Sequence, residues 1–140
     1  MELILPDLAA TEALGRRVAR LLRPGAVVLL SGPLGAGKTA LARALLRAAC
    51  GDEALVVPSP SYTLVQSYQA GLLTIHHFDL WRLDGPGGLE ELGWDAALAD
   101  AVLVEWPERL GDARPADAMA VELHVAADGA RLARLTGMEV

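Results

Sequence analysis

Residues 26–39 read AVVLLSGPLGAGKT, an apolar run followed by a glycine-rich loop that ends in lysine and threonine. The loop itself, residues 32–39, matches the whole pattern G-x-x-x-x-G-K-[ST]. Its three glycines allow the backbone to turn sharply and to direct N–H groups inward, where they form a nest that binds anions. The pattern therefore predicts a loop that holds the phosphates of a nucleotide.

Two side chains at the end of the loop have the chemistry that a polyphosphate needs. Lys38 can reach the β- and γ-phosphates, and the hydroxyl of Thr39 can bind Mg²⁺. Leu41, Leu45 and Leu46 follow at helical spacing, so the positive end of a helix dipole would face the phosphates. Strand, loop and helix thus occur in the order that the motif requires, and the predicted ligands are ATP and Mg²⁺.

The composition is typical of a folded protein with one domain. The chain has 140 residues, of which 53% are hydrophobic and 21% are charged, and this length can bury a core without disulfides or metals. We therefore expect a single domain over residues 1–140. The one cysteine, Cys50, cannot form an internal disulfide, and its position at the end of an apolar helix favours a buried, inert thiol.

Charge and hydropathy argue against several other classes of protein. The net charge is −6, whereas a chain that holds nucleic acid alone usually needs a basic surface. A basic cluster near the end of a predicted helix is best interpreted as a solvated face: Arg16, Arg17, Arg20 and Arg23. The chain shows neither a signal peptide nor the roughly 18 apolar residues of a membrane span, so we expect a cytoplasmic protein that does not contact membranes.

Apolar and alternating patterns predict the strands. These are residues 2–5, 26–30, 61–69, 72–78, 101–104, 119–125 and 131–135. The third and fourth strands, and the last two, are separated by short turns that predict hairpins. A buried strand such as 101–104 indicates a parallel sheet, which the hairpins would extend with antiparallel strands.

Two longer helices are predicted before and after the loop. Asp7 is a plausible N-cap of the first, and Gly51 is a fitting C-terminal cap of the second. The apolar residues of the first helix are Leu14, Val18, Leu21 and Leu22. Together with the strands, these helices predict an α/β fold, a three-layer α/β/α sandwich of the P-loop NTPase type with a mainly parallel central sheet.

Two carboxylates stand at the ends of predicted strands, where phosphate chemistry would need them. Glu105 follows an unbroken apolar run, and Asp79 follows a segment that contains His76 and His77. Either acid could position Mg²⁺ or orient an attacking group; alternatively, either could be an ordinary strand-end acid that faces water. The two histidines do not indicate zinc, because adjacent strand residues point to opposite faces and no cluster of Cys or His lies nearby.

Four further segments give the chain a specific resemblance. They are residues 59–65 (SPSYTLV), 77–83 (HFDLWRL), 91–93 (ELG) and 105–107 (EWP). In this order, and with the loop before them, they resemble the small bacterial TsaE (YjeE-type) P-loop ATPases of tRNA threonylcarbamoyladenosine synthesis. Two departures are conservative, because Ser61 replaces a threonine and Trp81 replaces a tyrosine.

The resemblance implies roles for particular residues. Glu105 is similar to the carboxylate that the family links to Mg²⁺ beside Thr39, and Asp79 is similar to an acid required for activity, which would orient water or hold a metal-bound water. Trp106, which otherwise would be taken for core packing, becomes a functional aromatic, and residues 59–63 resemble a switch segment. The implied catalytic residues are Lys38, Asp79, Glu105 and Trp106. The implied nucleotide-binding residues are Leu8, Leu34, Gly35, Ala36, Gly37, Lys38, Thr39 and Arg131.

The implied activity is a slow, Mg²⁺-dependent ATPase that acts on a complex of TsaD and TsaB. That complex would modify the adenosine next to the tRNA anticodon, so that this chain meets tRNA only through its partners. Two alternatives use the same loop. One is a small-molecule or nucleoside kinase, although the sequence shows neither an arginine-rich lid nor an acceptor-binding segment; the other is a nucleotide-binding scaffold that does not hydrolyse.

Overall fold

A seven-stranded sheet forms the centre of the computed structural model, which describes residues 1–60 and 63–140. In chain order its strands are β1 (Glu2–Leu5), β2 (Val27–Ser31), β3 (Val65–Ala70), β4 (Leu73–Asp79), β5 (Ala101–Glu105), β6 (Met119–Val125) and β7 (Arg131–Thr136). The α-helices of the described residues are α1 (Leu8–Ala19), α2 (Lys38–Cys50) and α3 (Trp94–Ala97). Short 3₁₀ segments cover Pro86–Gly88, Glu90–Leu92 and Pro107–Ala113.

The four central strands are parallel and lie in the order β6-β2-β5-β4. The two predicted hairpins extend them, because β7 pairs antiparallel with β6 and β3 pairs antiparallel with β4. Strand β1 then pairs antiparallel with β7 at the outer edge. The predicted α/β fold, with a parallel sheet extended by antiparallel strands, is confirmed. Its parallel strands end at one edge of the sheet, which is where ligands bind in such folds.

Side chains of the central strands alternate between two apolar layers. On one face, Val28 and Leu30 pack with α1 and α2. On the other face, Val27 and Leu29 pack with Phe78, α3 and the 3₁₀ segments. The three predicted layers are therefore present, and the third layer is thinner than the first because a four-residue helix and 3₁₀ turns form it.

Both predicted caps of the longer helices are present. The carboxylate of Asp7 accepts the N–H of Ala10 at 2.9 Å, which satisfies a donor that the first turn leaves free. Gly51 ends α2 in the left-handed region, with φ 65°. Within the two described ranges, no helix has the length and apolar character needed to cross a membrane.

Most predicted strand boundaries agree with the structure to within one residue, but two boundaries were wrong by more. Helix α1 ends at Ala19, so Leu21 and Leu22 lie in the turn that follows, from which Leu22 contacts the core. The third strand was predicted from residue 61, but it begins at Val65. Of the segment between, residues 61–62 lie outside the described residues. Helical spacing therefore indicated which leucines face the core, but it did not indicate where helical hydrogen bonding ends.

Cys50 is the last residue of α2 and is half-buried rather than buried as predicted. Burial raises the pKa of its thiol, and the negative charge of Asp52 raises it further. Less thiolate is then present at neutral pH, and the thiolate is the reactive form of cysteine. The thiol is therefore a poor nucleophile.

Helices α1 and α2 cross closely because Gly15 has no side chain. A Cβ built on Gly15 would lie 2.9 Å from the Cβ of Ala44 and 3.0 Å from the carbonyl oxygen of Leu41. Such distances force one of the two backbones to move. The contact holds α2, and with it the loop that precedes it, against the rest of the helical layer.

We expect Gly15→Ala to destabilise the protein. Overpacking of a tight contact costs about 1–3 kcal/mol, which outweighs the roughly 1 kcal/mol that alanine gains over glycine in a helix. Urea denaturation measures the difference in unfolding free energy. As a control, Gly87→Ala should change it by less than about 0.5 kcal/mol, because no atom lies within 4 Å of its added Cβ. A Gly15→Ala protein as stable as the wild type would contradict the close crossing.

Candidate phosphate-binding site

The loop of residues 32–39 joins β2 to α2 and has the backbone of a nest. Gly32, Gly35 and Gly37 have φ of 140°, 80° and 106°, which favours glycine at each position. At Gly32 space matters as well, because a Cβ there would lie 2.6 Å from the carbonyl oxygen of Leu123. Helix α2 begins directly after Gly37, so the N–H groups of its first turn are available to an anion.

A cleft of about 530 Å³ lies over this loop. Three parts of the chain enclose it: the loop with the start of α2, the ends of β4 and β5, and the segment before β3. Its lining residues are Leu34, Gly35, Gly37, Lys38, Thr39, Ala40, Arg43, Ser59, Asp79, Trp81, Glu105 and Trp106. The structure thus brings the predicted lysine, threonine, both acids and the tryptophan to one cleft.

Strand pairing places the two acids side by side. In the parallel register of β4 and β5, Asp79 lies opposite Glu105. Both side chains point to the sheet face that carries α2, since Leu103 is on that face and strand residues alternate. Asp79 and Glu105 are only 4% and 5% exposed. Neither acid is an ordinary strand-end group that faces water, which was the alternative from sequence.

Lys38 is held at the bottom of the cleft. Its Nζ donates to the carbonyl oxygen of Gly32 at 2.6 Å and lies 3.7 Å from the ring centroid of Trp106. Burial lowers the pKa of Lys38, and the negative charges of Glu105, Glu108 and Asp79 oppose that shift. A desolvated ammonium that interacts with a carbonyl and a ring face is well placed to gain from an arriving anion.

Trp106 has an unusual backbone. Its φ of 59° and ψ of 53° lie in the left-handed region, which costs a residue with a Cβ of the order of 1–3 kcal/mol. The ring lies against that of Trp81, with centroids 4.4 Å apart, and Trp81 is 44% exposed. In this conformation the Trp106 ring contacts Lys38 and also packs against the apolar layer that contains Phe78 and Trp94.

Arg131 and Leu8, which the resemblance assigns to nucleotide binding, lie at a second cavity of about 270 Å³. Gly37 and Ala40 line both this cavity and the cleft, so the two adjoin. Leu8 is 61% exposed there. Ala36, a residue of the loop itself, is buried. All predicted site residues therefore lie at the cleft, at the adjoining cavity or in the loop between them.

The guanidinium of Arg131 is bonded to the loop. Its Nε donates to the carbonyl oxygen of Ala36 at 3.1 Å, and a terminal nitrogen donates to that of Gly35 at 3.1 Å. These bonds join two loop carbonyls to the first residue of β7, so both carbonyls have a partner outside the loop. Arg131 therefore supports the shape of the loop, a contribution that the sequence did not reveal.

Sequence reasoning missed two residues of the site, Arg43 and Trp81, which line the cleft. Trp81 belongs to the segment 77–83 that carries the resemblance, but no role was predicted for it. Ser59, which also lines the cleft, lies in the predicted switch segment. The predicted switch segment 59–63 is described only in part, because Ser61 and Tyr62 lie outside the described residues.

The two adjacent histidines make different contacts, and no role was predicted for either of them. His77 is buried, and its Nε2 lies 2.7 Å from Oε2 of Glu105. His76 points to the opposite face, where its ring nitrogens contact Ser67 and Asp100, each at 2.8 Å. The expectation that adjacent residues face opposite sides is confirmed.

The oxygen donors of the cleft suit a Mg²⁺ ion that protein and phosphates bind together. They do not form a site in which protein side chains alone would hold a metal. Thr39 offers a hydroxyl, and Asp79 and Glu105 offer carboxylates. In residues 1–60 and 63–140, no group of three or more His, Cys, Asp or Glu side chains could hold a metal alone. Mg²⁺ is usually held by one or two carboxylates together with substrate phosphates, and this donor set has that character.

Comparisons with known proteins agree with the resemblance. The family model described as "Threonylcarbamoyl adenosine biosynthesis protein TsaE" matches residues 5–133. Curated relatives named "tRNA threonylcarbamoyladenosine biosynthesis protein TsaE" include that of Rickettsia felis, 37% identical over 93% of this chain and 76% of the relative. Those of Rickettsia bellii and a Synechocystis species are 35% and 42% identical, over 95% and 79% of this chain and 92% and 72% of the relatives.

A solved structure shares the fold. The chain superposes on the crystal structure of Bacillus subtilis YdiB with a TM-score of 0.78 at 25% sequence identity. The alignment covers 95% of this chain and 82% of that one.

We expect Arg131→Met to loosen the loop. Three hydrogen bonds from a charged donor would be lost, two of them to the loop and one to the carbonyl oxygen of Gly129. This loss should lower the unfolding free energy by about 1.5 kcal/mol or more and speed amide exchange at residues 35–37. Denaturation and hydrogen exchange followed by mass spectrometry measure the two effects. The matched control is Arg134→Met in the same strand, whose exposed ion pair with Glu2 should contribute less than about 1 kcal/mol. Equal exchange in both variants would show that Arg131 does not anchor the loop.

Proposed function

Because this chain belongs to the TsaE family, we propose that it binds ATP with Mg²⁺ and hydrolyses it slowly as a subunit of the threonylcarbamoyladenosine pathway. In this proposal residues 1–140 form one ATPase domain that acts in the cytoplasm on a TsaD–TsaB complex. The names of the curated relatives support the pathway. The chemistry of the cleft supports the activity.

One observation carries the proposal: a lysine and two buried acids meet above a glycine nest at the start of a helix. Lys38, Asp79 and Glu105 all line the same cleft. The nest and the helix dipole favour a phosphate chain. Two buried carboxylates beside it would repel that chain, unless a divalent cation lies between them. The arrangement therefore suits a metal–nucleotide complex better than a free anion.

Each residue then has a distinct task. The N–H groups of the loop and the ammonium of Lys38 bind and orient the phosphates. Mg²⁺, when bound, supplies positive charge that neutralises the phosphate oxygens. Glu105 and the hydroxyl of Thr39 would hold it. Trp106 covers Lys38 from solvent, and Leu8 would contact the base from the adjoining cavity.

Asp79 is the residue that we assign to the attacking water. Its Oδ1 accepts the backbone N–H of Trp81 at 3.0 Å, which fixes the carboxylate at the end of β4. A fixed carboxylate in a cleft can orient a water molecule directly or hold one that binds the metal. Trp81 lies on the rim and is partly exposed, so the free protein excludes water incompletely. Slow turnover that increases in a complex is what such an open site would give.

The assignment of tRNA to partner proteins rests on charge. The net charge of −6 opposes unaided binding to a polyanion. We therefore propose that TsaD and TsaB hold the tRNA, and that ATP turnover here acts on their complex.

We expect the wild type to bind ATP and ADP in a Mg²⁺-dependent way and to release phosphate to water. Lys38→Ala should lower turnover roughly 10²–10³-fold, because it removes a charge that stabilises the transferring phosphoryl group. Asp79→Asn and Glu105→Gln should lower it at least about 100-fold. Asp112→Asn, at an exposed acid outside the cleft, is the control. Calorimetry and phosphate release, with and without a TsaD–TsaB complex, measure these effects.

The same experiment separates the alternatives. Phosphate transfer to a hydroxyl acceptor from a panel, in place of release to water, would indicate a kinase. Tight nucleotide binding without turnover, and with no effect of the two acid variants even when the partners are present, would indicate a scaffold. Absence of nucleotide binding by folded protein would refute the proposal altogether.

A further inference from the structure

The strongest unexplained feature of the molecule is a buried hydrogen bond between His77 and Glu105. The Nε2 of His77 lies 2.7 Å from Oε2 of Glu105, and the two residues are 2% and 5% exposed. His77 is opposite Leu103 in the parallel register, two residues before the pair of Asp79 and Glu105. The ring therefore lies on the same sheet face as both acids, behind the cleft.

The bond defines the state of the ring. An ionised carboxylate only accepts hydrogen bonds, so Nε2 of His77 must be the donor. The other ring nitrogen, Nδ1, is buried and finds no hydrogen-bond partner among residues 1–60 and 63–140. A ring with its proton on Nε2 satisfies the carboxylate and leaves no buried donor unpaired among these residues.

We propose that His77 is a positioning residue that sets the orientation of the Glu105 carboxylate for Mg²⁺. This inference rests on the proposed function, in which Glu105 holds the metal. The hydrogen bond occupies Oε2, so Oε1 is the oxygen of this cleft-lining residue that would bind the metal. Carboxylates that bind metals are themselves commonly hydrogen-bonded by a second group, which fixes their direction.

The bond also keeps Glu105 from a competing partner. Lys38 lines the same cleft, and the charge of Glu105 opposes the lowering of its pKa, so the two groups attract each other. Among the ion pairs of residues 1–60 and 63–140, none joins them. Glu105 is held by His77, while Lys38 is held by Gly32 and Trp106. If His77 did not hold the acid, a Lys38–Glu105 pair would occupy both the phosphate-binding cation and the metal-binding anion.

Three variants of His77 and one control test this role. His77→Leu removes the donor, His77→Gln keeps an amide donor at a similar reach, and His77→Asn has a donor that falls short. His76→Leu is the matched control, because it removes the adjacent histidine of the same strand, which contacts Ser67 and Asp100 on the other face. The Gln and Asn variants keep a polar group, so they remain informative if a leucine at 77 prevents folding.

The readouts separate metal binding from nucleotide binding. Calorimetry gives the affinity for ADP without metal, and the Mg²⁺ concentration dependence of ADP binding gives the metal affinity; Mn²⁺ paramagnetic resonance reports the metal directly. We expect His77→Leu and His77→Asn to weaken metal affinity about 10–100-fold, with metal-free ADP affinity within about twofold. His77→Gln should recover most of the loss, and His76→Leu should match the wild type.

Three results would overturn the inference while leaving the proposed function intact. They are wild-type metal affinity in His77→Leu and His77→Asn, failure of a folded His77→Gln to recover metal affinity, and an equal loss of metal-free ADP affinity, which would indicate a merely structural role. A wild-type protein that binds no Mg²⁺ with ADP would instead overturn both the proposed function and this inference.

Discussion

Parallel pairing between β4 and β5 is the constraint on which the site depends. Both strands bury apolar side chains in each layer, with Ile75 and Leu103 in one and Phe78 and Val104 in the other, so a slip of one residue would turn buried side chains to the wrong layer. The register is therefore fixed by the core, and it sets Asp79 beside Glu105 at the edge where β2 delivers the loop. Hydrophobic packing thus fixes the two acids beside each other, and Lys38 lies in the same cleft as a cation that attracts both.

The parts of the fold that were predictable are those in which local sequence and tertiary structure agree. Unbroken apolar runs predicted β2 and β5, alternation predicted β6, and glycines predicted the loop and the end of α2. The acids were predictable as candidates, because strand ends at one edge of a parallel sheet meet. The end of α1 was not predictable from the sequence. Leu22 is apolar and stands at helical spacing, but it contacts the core from the turn that follows the helix. The spacing of apolar residues indicates which side chains are buried, but a buried side chain need not belong to a helix.

The interactions that were not predictable join residues that are distant in sequence. His77 and Glu105 are 28 positions apart, and Arg131 is 95 positions from Ala36. Each of these contacts depends on the order of the strands in the sheet and on the sheet face to which a side chain points. A single sequence determines neither directly. The left-handed backbone of Trp106 could not be predicted for a different reason. Such a conformation usually indicates glycine, whereas here the surrounding structure holds a residue with a Cβ in it. The chemistry of the site was therefore easier to predict than the contacts that hold it in place.

The bond between Arg131 and the loop has a consequence for synthesis on the ribosome. Translation proceeds from the N-terminus at about 5–20 residues per second, so the glycine-rich segment emerges seconds before the arginine that anchors its carbonyls. A nascent chain interrupted between these points would carry the whole loop motif without its anchor. Competence to bind a ligand firmly should therefore arise only when the hairpin of β6 and β7 joins the sheet, and not when the motif itself is completed.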